Sequence, residues 1–234
     1  MKLRAATWNL QGRDLASVGL EAVLEHWSPD VLLLQEAQTG SLSGVPSLEA
    51  YPHRLLRSDA GYPPGLAILS RWPLTATGHV EQAGRRPPLI WAWTRAPETG
   101  LLLASFHAAA PIGDPRSDTP WHRWLQLRAI AAFANGIVDQ GSPVVLGGDS
   151  NTIRYELPGY TDTARAAGAA KRTWRPIGGA PWLPGIARLD RIFIGPGMEA
   201  TSVETPCHRS RSDHCPVVAT VRIAAEKENA VDVT

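Results

Sequence analysis

The chain begins with an alternating stretch, residues 3–10 (LRAATWNL), which reads as a short strand ending at Trp8-Asn9. Behind it, Leu15, Val18, Ala22, Val23 and Trp27 recur at helical spacing, with Asp14 placed as an N-cap and Pro29 as the stop. Asp30 to Leu34 is a second apolar run that ends in Gln35-Glu36, and residues 37–50 form a Gly/Ser-rich loop. Residues 65–70, 74–81, 89–95 and 101–107 read as successive strands punctuated by Pro or Gly. Thr119-Pro120 has the form of an N-cap followed by a first-turn proline. It opens a long amphipathic helix from Trp121 to about Val138, ended near Gly141. Val144 to Asp149 (VVLGGD) is a continuous apolar run, the signature of a strand buried on both faces. Residues 152–186 are loop-rich, with a short helical piece near 161–167, and strands return at 187–194 and 214–223. No internal repeat or linker breaks the pattern. Many strands and two principal helices predict an α/β (α+β) fold, with sheets packed face to face under helices. Residues 1–224 form one domain, and the polar tail 225–234 frays from it.

Composition narrows the function more than the fold. The 234 residues suffice for a substantial core without staples. A formal net charge of +1 provides no global field for nucleic acid, so any such attraction is local or metal-borne. Cys207 and Cys215 do not make a disulfide framework; their spacing would allow a bridge across a loop, but two unpaired thiols in a reducing compartment are the expectation. The start, MKLRAATWNLQG, lacks an apolar signal core, and no long uncharged apolar stretch occurs. The expectation is a cytoplasmic monomer with no membrane segment; nothing points to a protein partner.

The most apolar strands end in polar side chains: Asn9, Glu36, His107, then Asp149 and Asn151. Asp190 lies inside the apolar RLDRIFI, and Asp213-His214 opens the last strand. Each alone reads as a turn residue or a satisfied core group. Together they demand partners, because buried charge is expensive unless paired or metal-bound. His214 is the natural partner for Asp190. Oxygen donors at Glu36, Asn9 and Asp213 suit Mg²⁺ or Mn²⁺ rather than zinc. No zinc-type Cys/His spacing, phosphate-cradling glycine loop or nucleophile elbow is present. A hard cation, a carboxylate near an attacking water, and imidazoles and an amide aimed at phosphoryl oxygens amount to metal-assisted phosphoester hydrolysis. Gly147 and Gly148 are expected to leave room for a phosphate and metal to approach the backbone.

In order and spacing, TWNLQG, LLLQE, GLAILSR, SFHAAAP, VVLGGDSN, RLDRIFI and RSDHCPV resemble the motifs of the endonuclease/exonuclease/phosphatase family. That superfamily includes DNase I-like nucleases, AP endonucleases, neutral sphingomyelinases and inositol polyphosphate 5-phosphatases. The resemblance runs from Thr7 to about Ala219. It implies a four-layer α/β/β/α sandwich of two mixed sheets with outer helices. It further implies Glu36 as the main metal ligand, helped by Asn9 and supported by Asp213. Asp149 would orient or deprotonate the attacking water, Asn151 bind the phosphate, and His214 act as the partner of Asp190. His107 would hydrogen-bond the phosphate or protonate the leaving oxygen. Gln11 and His107 stand where AP endonucleases have an acid and a tyrosine, which weakens an abasic-site reading. Leu66 fills a slot that is frequently polar in relatives, and no inositol-phosphatase substrate signature is found.

The expected activity is therefore that of a Mg²⁺- or Mn²⁺-dependent phosphodiesterase of nuclease type, with nucleic acid the favoured partner. The alternatives are a phosphatase or phospholipase-C-like hydrolase of a small or lipid phosphoester, and a non-catalytic binding module on the same fold. Arg209 and Arg211, beside Asp213, are candidates to hold a phosphate. Trp174 in KRTWRP either stacks a base or braces its loop. Arg85-Arg86 reads as a solvated turn. Trp91, Trp93, Trp121, His122 and Trp124 read as packing residues, and His26, His53 and His79 as structural.

Overall fold

The computed structural model describes residues 1–13, 18–38, 45–59, 62–82, 87–110, 120–138, 141–175 and 184–224. The expected caps at Asp14 and Thr119, the Arg85-Arg86 turn and the tail 225–234 lie outside the described residues.

One six-stranded sheet has the order β11 (Met198–Glu204), β12 (Val217–Ile223), β1 (Lys2–Asn9), β2 (Val31–Ala37), β4 (Tyr62–Ser70), β3 (His53–Asp59). The second has the order β5 (Leu74–Val80), β6 (Leu89–Arg95), β7 (Gly100–His107), β8 (Val144–Asp149), β10 (Asp190–Ile194), β9 (Thr161–Asp162). Each sheet contains one parallel pair, β1 with β2 and β7 with β8; the other pairings are antiparallel.

Side chains alternate across a strand, and that period sorts the chain into layers. Leu3, Ala5, Val31, Leu33, Leu101, Leu103, Val145, Ile192 and Ile194 meet between the sheets. Ala6, Trp8, Leu32 and Leu34 point the other way and pack under α1 (Leu20–Trp27). Leu102, Ala104, Phe106, Val144, Leu146 and Phe193 likewise face α2 (Pro120–Val138) through Ile130 and Ala134. The result is the four-layer sandwich expected from the sequence. A one-turn helix, α3 (Thr163–Ala166), is capped by Asp162, whose carboxylate accepts from the Ala164 and Arg165 amides.

The phase of the alternation also decides where the site lies. Asn9, His107, Asp149 and Asp190 share the parity of the inner core residues, so each strand delivers its terminal polar group into the gap between the sheets. Below that end, the Gln35 amide donates to Ser105 Oγ at 3.0 Å, and Ser105 Oγ donates to the Leu34 carbonyl at 3.0 Å. These bonds tie one sheet to the other directly beneath the polar end.

The two glycines of VVLGGD serve the sheets and not a ligand, which corrects the expectation above. A Cβ on Gly148 would stand 2.0 Å from the Phe106 carbonyl oxygen of β7, and one on Gly147 would stand 2.7 Å from a Leu33 methyl of the facing sheet. Glycine is required because neighbouring backbone and core side chains occupy that space.

The thiol expectation is also overturned: Cys207 and Cys215 are joined by a disulfide, their Cα atoms 4.6 Å apart. The 3₁₀ turn Cys207–Arg209 and the bridge from Cys215 N–H to the Thr173 carbonyl (2.7 Å) fold the segment back on itself and bring the sulfurs together. Disulfides belong mainly to oxidising compartments, so the inference of a reducing one loses its support. No helix among the described residues is long and apolar enough to cross a membrane.

Candidate active site

Every predicted strand-end group except the two loop arginines converges at one end of the sandwich. The register makes this unavoidable: His107 is the partner of Asp149 across the parallel β7–β8 pair, and Asp190 is its partner across β8–β10. Asn9 reaches over from the other sheet. Its amide donates to Glu36 Oε1 and to Asp149 Oδ2, both at 3.0 Å, while its own Oδ1 accepts from the Gln11 amide at 2.9 Å. Glu36 lies within an irregularity of the β2–β4 pairing, between Leu34 and Ala37, and has φ 51°, which releases it from the strand's alternation. Gln11 (φ 56°) and Asn151 (φ 47°) are likewise left-handed. Such conformations cost on the order of 1–3 kcal/mol each and persist where the surroundings enforce them.

Around Asp149 the hydrogen bonds fix one arrangement. Oδ1 accepts from the Asn151 amide at 2.8 Å, the Asx turn suggested by the sequence. The Asn151 side-chain amide donates to the Ala108 carbonyl at 2.8 Å and lies 3.2 Å from His107 Nε2. His107 Nε2 is 3.6 Å from Glu36 and 3.7 Å from Asp149. His214 Nδ1 meets Asp190 at 2.8 Å, which leaves Nε2 facing Asp149 Oδ2 at 3.6 Å and Asp213 at 4.0 Å. Asp190 is itself positioned by Thr173, whose hydroxyl oxygen accepts from the Leu189 and Asp190 amides at 3.1 Å.

Burial opposes the His214 charge, but Asp190, Asp149 and Asp213 outweigh it and push the imidazole up to about 10. Burial is the main force on Asp149 too, with Asp190 adding to it, and its carboxyl is raised to about 6 against the opposing pull of His214. The site therefore holds an imidazolium beside a carboxyl that accepts a proton readily.

The loop carrying Asp213 and His214 is held from several sides. Buried Arg175 donates to the Cys207, Ser210 and Ser212 carbonyls at 3.1, 3.0 and 2.6 Å. Ser212 Oγ donates to the Asn9 carbonyl at 2.8 Å, and the Trp8 indole donates to the His214 carbonyl at 3.0 Å. Trp174, one of the undecided residues, donates through Nε1 to Asp213 at 3.3 Å, which is the bracing role. Arg209 and Arg211 lie on the exposed side of this loop and do not line the cleft.

The cleft holds about 830 Å³. Glu36, Asp149, Asn151, Asp213 and His214 line it, and Trp174, Ile153 and Leu189 add apolar surface. Among the described residues its lining also includes two guanidiniums, Arg123 and Arg154, which the sequence reading missed. Arg123 lies in the first turn of a helix and Arg154 in a loop, and no spacing rule linked either to the strand ends.

Asp149, Asp190 and His214 present ligand atoms within 4.8 Å of one another, close enough to hold a metal ion. The 2.8 Å contact between His214 and Asp190 already occupies that imidazole nitrogen. Glu36 and Asp213, with side chains 29 % and 19 % exposed, also line the cleft and carry oxygen donors.

A two-sheet sandwich with carboxylates, amides and imidazoles at its polar end defines a class of phosphoester-handling proteins. This chain belongs to the endonuclease/exonuclease/phosphatase family, whose model matches residues 6–214. Members of that family are generally hydrolases acting on phosphoesters. Among solved structures, D. rerio TDP2 complexed with a single-strand DNA product is similar, at 22 % identity and TM-score 0.75 over 94 % of this chain and 99 % of that one. TDP2 from Caenorhabditis elegans, truncated, gives 22 %, TM-score 0.73, and 94 % and 97 % coverage. An endonuclease/exonuclease/phosphatase from Bacteroides vulgatus gives 17 %, TM-score 0.74, and 96 % and 100 % coverage. These likenesses establish the fold. No curated protein matches the chain.

Proposed function

We propose that the protein is a Mg²⁺- or Mn²⁺-dependent phosphodiesterase that hydrolyses nucleic acid by attack of water on phosphorus. The observation that carries the reading is the convergence of Asp149, Asn151, Asp190 and His214 with Glu36 and Asn9 in one cleft. Glu36, with Asn9 and Asp213, would hold the cation, and the oxygen-only donor set fits a hard ion. When bound, the cation supplies charge neutralisation at the phosphoryl oxygens.

The remaining chemistry is assigned to the chain's own groups. Asp149, raised to about 6, orients the water and takes its proton. His214, held by Asp190 as an imidazolium, directs Nε2 at a phosphoryl oxygen and stabilises the charge that accumulates there. Asn151 holds a second oxygen through its amide, and its left-handed backbone aims that group. His107, with Nε2 3.2 Å from the Asn151 amide nitrogen, is placed to hydrogen-bond the phosphate or the leaving oxygen once that nitrogen carries a proton. Nucleic acid is favoured because the similar D. rerio TDP2 structure carries a single-strand DNA product and because the cleft pairs an apolar wall with two guanidiniums.

The test is a metal-supplemented panel of plasmid DNA, single-stranded DNA, RNA, sphingomyelin, inositol phosphates and an aryl phosphodiester. Turnover of nucleic acid that stops with EDTA and returns with Mg²⁺ or Mn²⁺ supports the reading. Turnover confined to a lipid or small phosphoester moves the assignment to the phospholipase-C-like or phosphatase alternative. No turnover of any member with intact metal binding points to a binding module.

A further inference from the structure

The reaction just proposed leaves two charged groups of the cleft without a task. Arg123 comes from the first turn of α2, and Arg154 from the loop three residues beyond Asn151. Neither has an ion pair or side-chain hydrogen bond among the described residues, and one terminal nitrogen of Arg123 is buried without an acceptor. Most other arginines near the site are engaged: Arg175 and Arg191 with backbone carbonyls, and Arg165 and Arg188 with acids. A buried guanidinium nitrogen lacking an acceptor is costly, and it marks a place where an anion restores the balance.

The support beneath Arg154 is built to last. Fully buried Arg191 donates to Ser150 Oγ, to the Leu189 carbonyl at 3.0 Å and to the Ile153 carbonyl at 2.6 Å. That clamp spans the turn from Ser150 to Ile153, so Asn151 and Arg154 leave it from one fixed piece of backbone. Three residues bridge at most about 10 Å, so Arg154 starts within one nucleotide's reach of the phosphate held by Asn151. The cleft volume of about 830 Å³ far exceeds the space one phosphate group fills.

We propose that Arg123 and Arg154 form a second anion subsite, which holds the phosphate adjoining the scissile one in a single-stranded oligonucleotide. This rests on the phosphodiesterase reading and adds to it a substrate of at least two phosphates. The guanidiniums bind the neighbouring phosphodiester as paired donors and set which linkage of the strand sits over Asp149.

The experiment compares two thymidylate substrates with Mg²⁺ present, a dinucleotide with one phosphate and a trinucleotide with two. Arg154→Gln, exposed and remote from the core, is the first variant; Arg123→Gln/Arg154→Gln and Arg154→Lys follow. The wild type prefers the trinucleotide in kcat/KM by about tenfold or more, as one charge-assisted contact predicts. The double variant loses that ratio through KM, and Arg154→Lys recovers part of it. In parallel, anisotropy of a labelled ten-residue oligothymidylate is followed in EDTA across a salt series. The log–log salt slope falls by about 0.7 in the double variant, from one lost phosphate contact on a single strand.

An unchanged substrate ratio together with an unchanged slope overturns the subsite. An equal fall in kcat on both substrates overturns it as well, because the arginines would then hold the scissile phosphate. If wild-type protein cleaves neither substrate with metal bound, the phosphodiesterase reading fails, while the anisotropy slope still decides the subsite.

Discussion

Replacing Asp190 by asparagine removes one charge and almost no volume from the core of the site. The carboxylate is fully buried and meets His214 Nδ1 at 2.8 and 3.0 Å. At 2.8 Å, with an effective dielectric constant near 20, that attraction is about 6 kcal/mol, equivalent to about 4 pH units of imidazole titration. Asp149 at 3.6 Å and Asp213 at 4.0 Å remain, and burial opposes them. The His214 midpoint should therefore drop from about 10 to near or below neutrality. A His pKa raised from 6.5 to about 10 contributes stability that is complete below pH 6.5 and is lost as pH rises toward 10. In Asp190→Asn that alkaline loss should vanish, and stability at pH 7 should already be lower by about 3–5 kcal/mol, the cost of breaking a buried pair. Imidazole nitrogen NMR reads the midpoint, and denaturant unfolding from pH 6 to 10 reads the linkage. Hydrolysis should fall by about 10²–10⁴-fold at pH 7, because neutral His214 no longer neutralises phosphoryl charge. A His214 midpoint within one unit of the wild type, or an unaltered alkaline limb, refutes the reasoning.

Other perturbations follow from the same geometry. Asp149→Asn should abolish hydrolysis and lower stability at pH 7 by no more than about 1–3 kcal/mol, because relief of a buried charge offsets an NH₂ group turned toward the Asn9 or Asn151 donor, as calorimetry can check. In the wild type without metal, the same raised carboxyl destabilises the folded chain as pH rises from 3.8 to about 6; a flat calorimetric profile there contradicts the assigned environment. Gly148→Ala drives a Cβ to within 2.0 Å of the Phe106 carbonyl and should cost more than the 1–3 kcal/mol typical of overpacking; urea midpoints near wild type would show that the strands yield. Cys207→Ser opens a loop spanning a sequence separation of 8 and should lower stability by about 2–3 kcal/mol by chain entropy. Arg175 still grips three carbonyls of that loop, so hydrolysis by the Cys207→Ser protein should stay within about threefold of wild type.

Local pattern carried the central strands, because Val144–Asp149 and Val31–Ala37 are buried on both faces and open with the apolar runs Val144 to Gly148 and Val31 to Leu34. The edges were harder to see. His53–Asp59 and Met198–Glu204 lie at the two margins of one sheet, half exposed and rich in polar residues, so neither shows a decisive period. The strand-end side chains were legible for a related reason: a polar group closing an apolar run needs a compensating partner, and Asp190 found His214. Partners set by tertiary approach left no trace in spacing. Asn9 bridges Glu36 and Asp149 over sequence separations of 27 and 140, and Arg123 reaches the cleft from a helix on the outer face of the second sheet. The glycines before Asp149 misled for the same reason, since their requirement comes from Phe106 and Leu33, which are distant in sequence. The disulfide escaped because the fold-back that pairs its sulfurs depends on the buried Thr173–Arg175 segment.

The central claim is that Asp149 and His214 perform metal-supported hydrolysis of a phosphodiester. The most direct measurement is single-turnover cleavage of a labelled single-stranded oligonucleotide by wild type, Asp149→Asn and His214→Ala, with Mg²⁺ or Mn²⁺ and with EDTA. The account predicts cleavage by the wild type only with metal, and rates lower by at least about 10²-fold in both variants. Cleavage that survives EDTA, or that either variant retains at the wild-type rate, would contradict it.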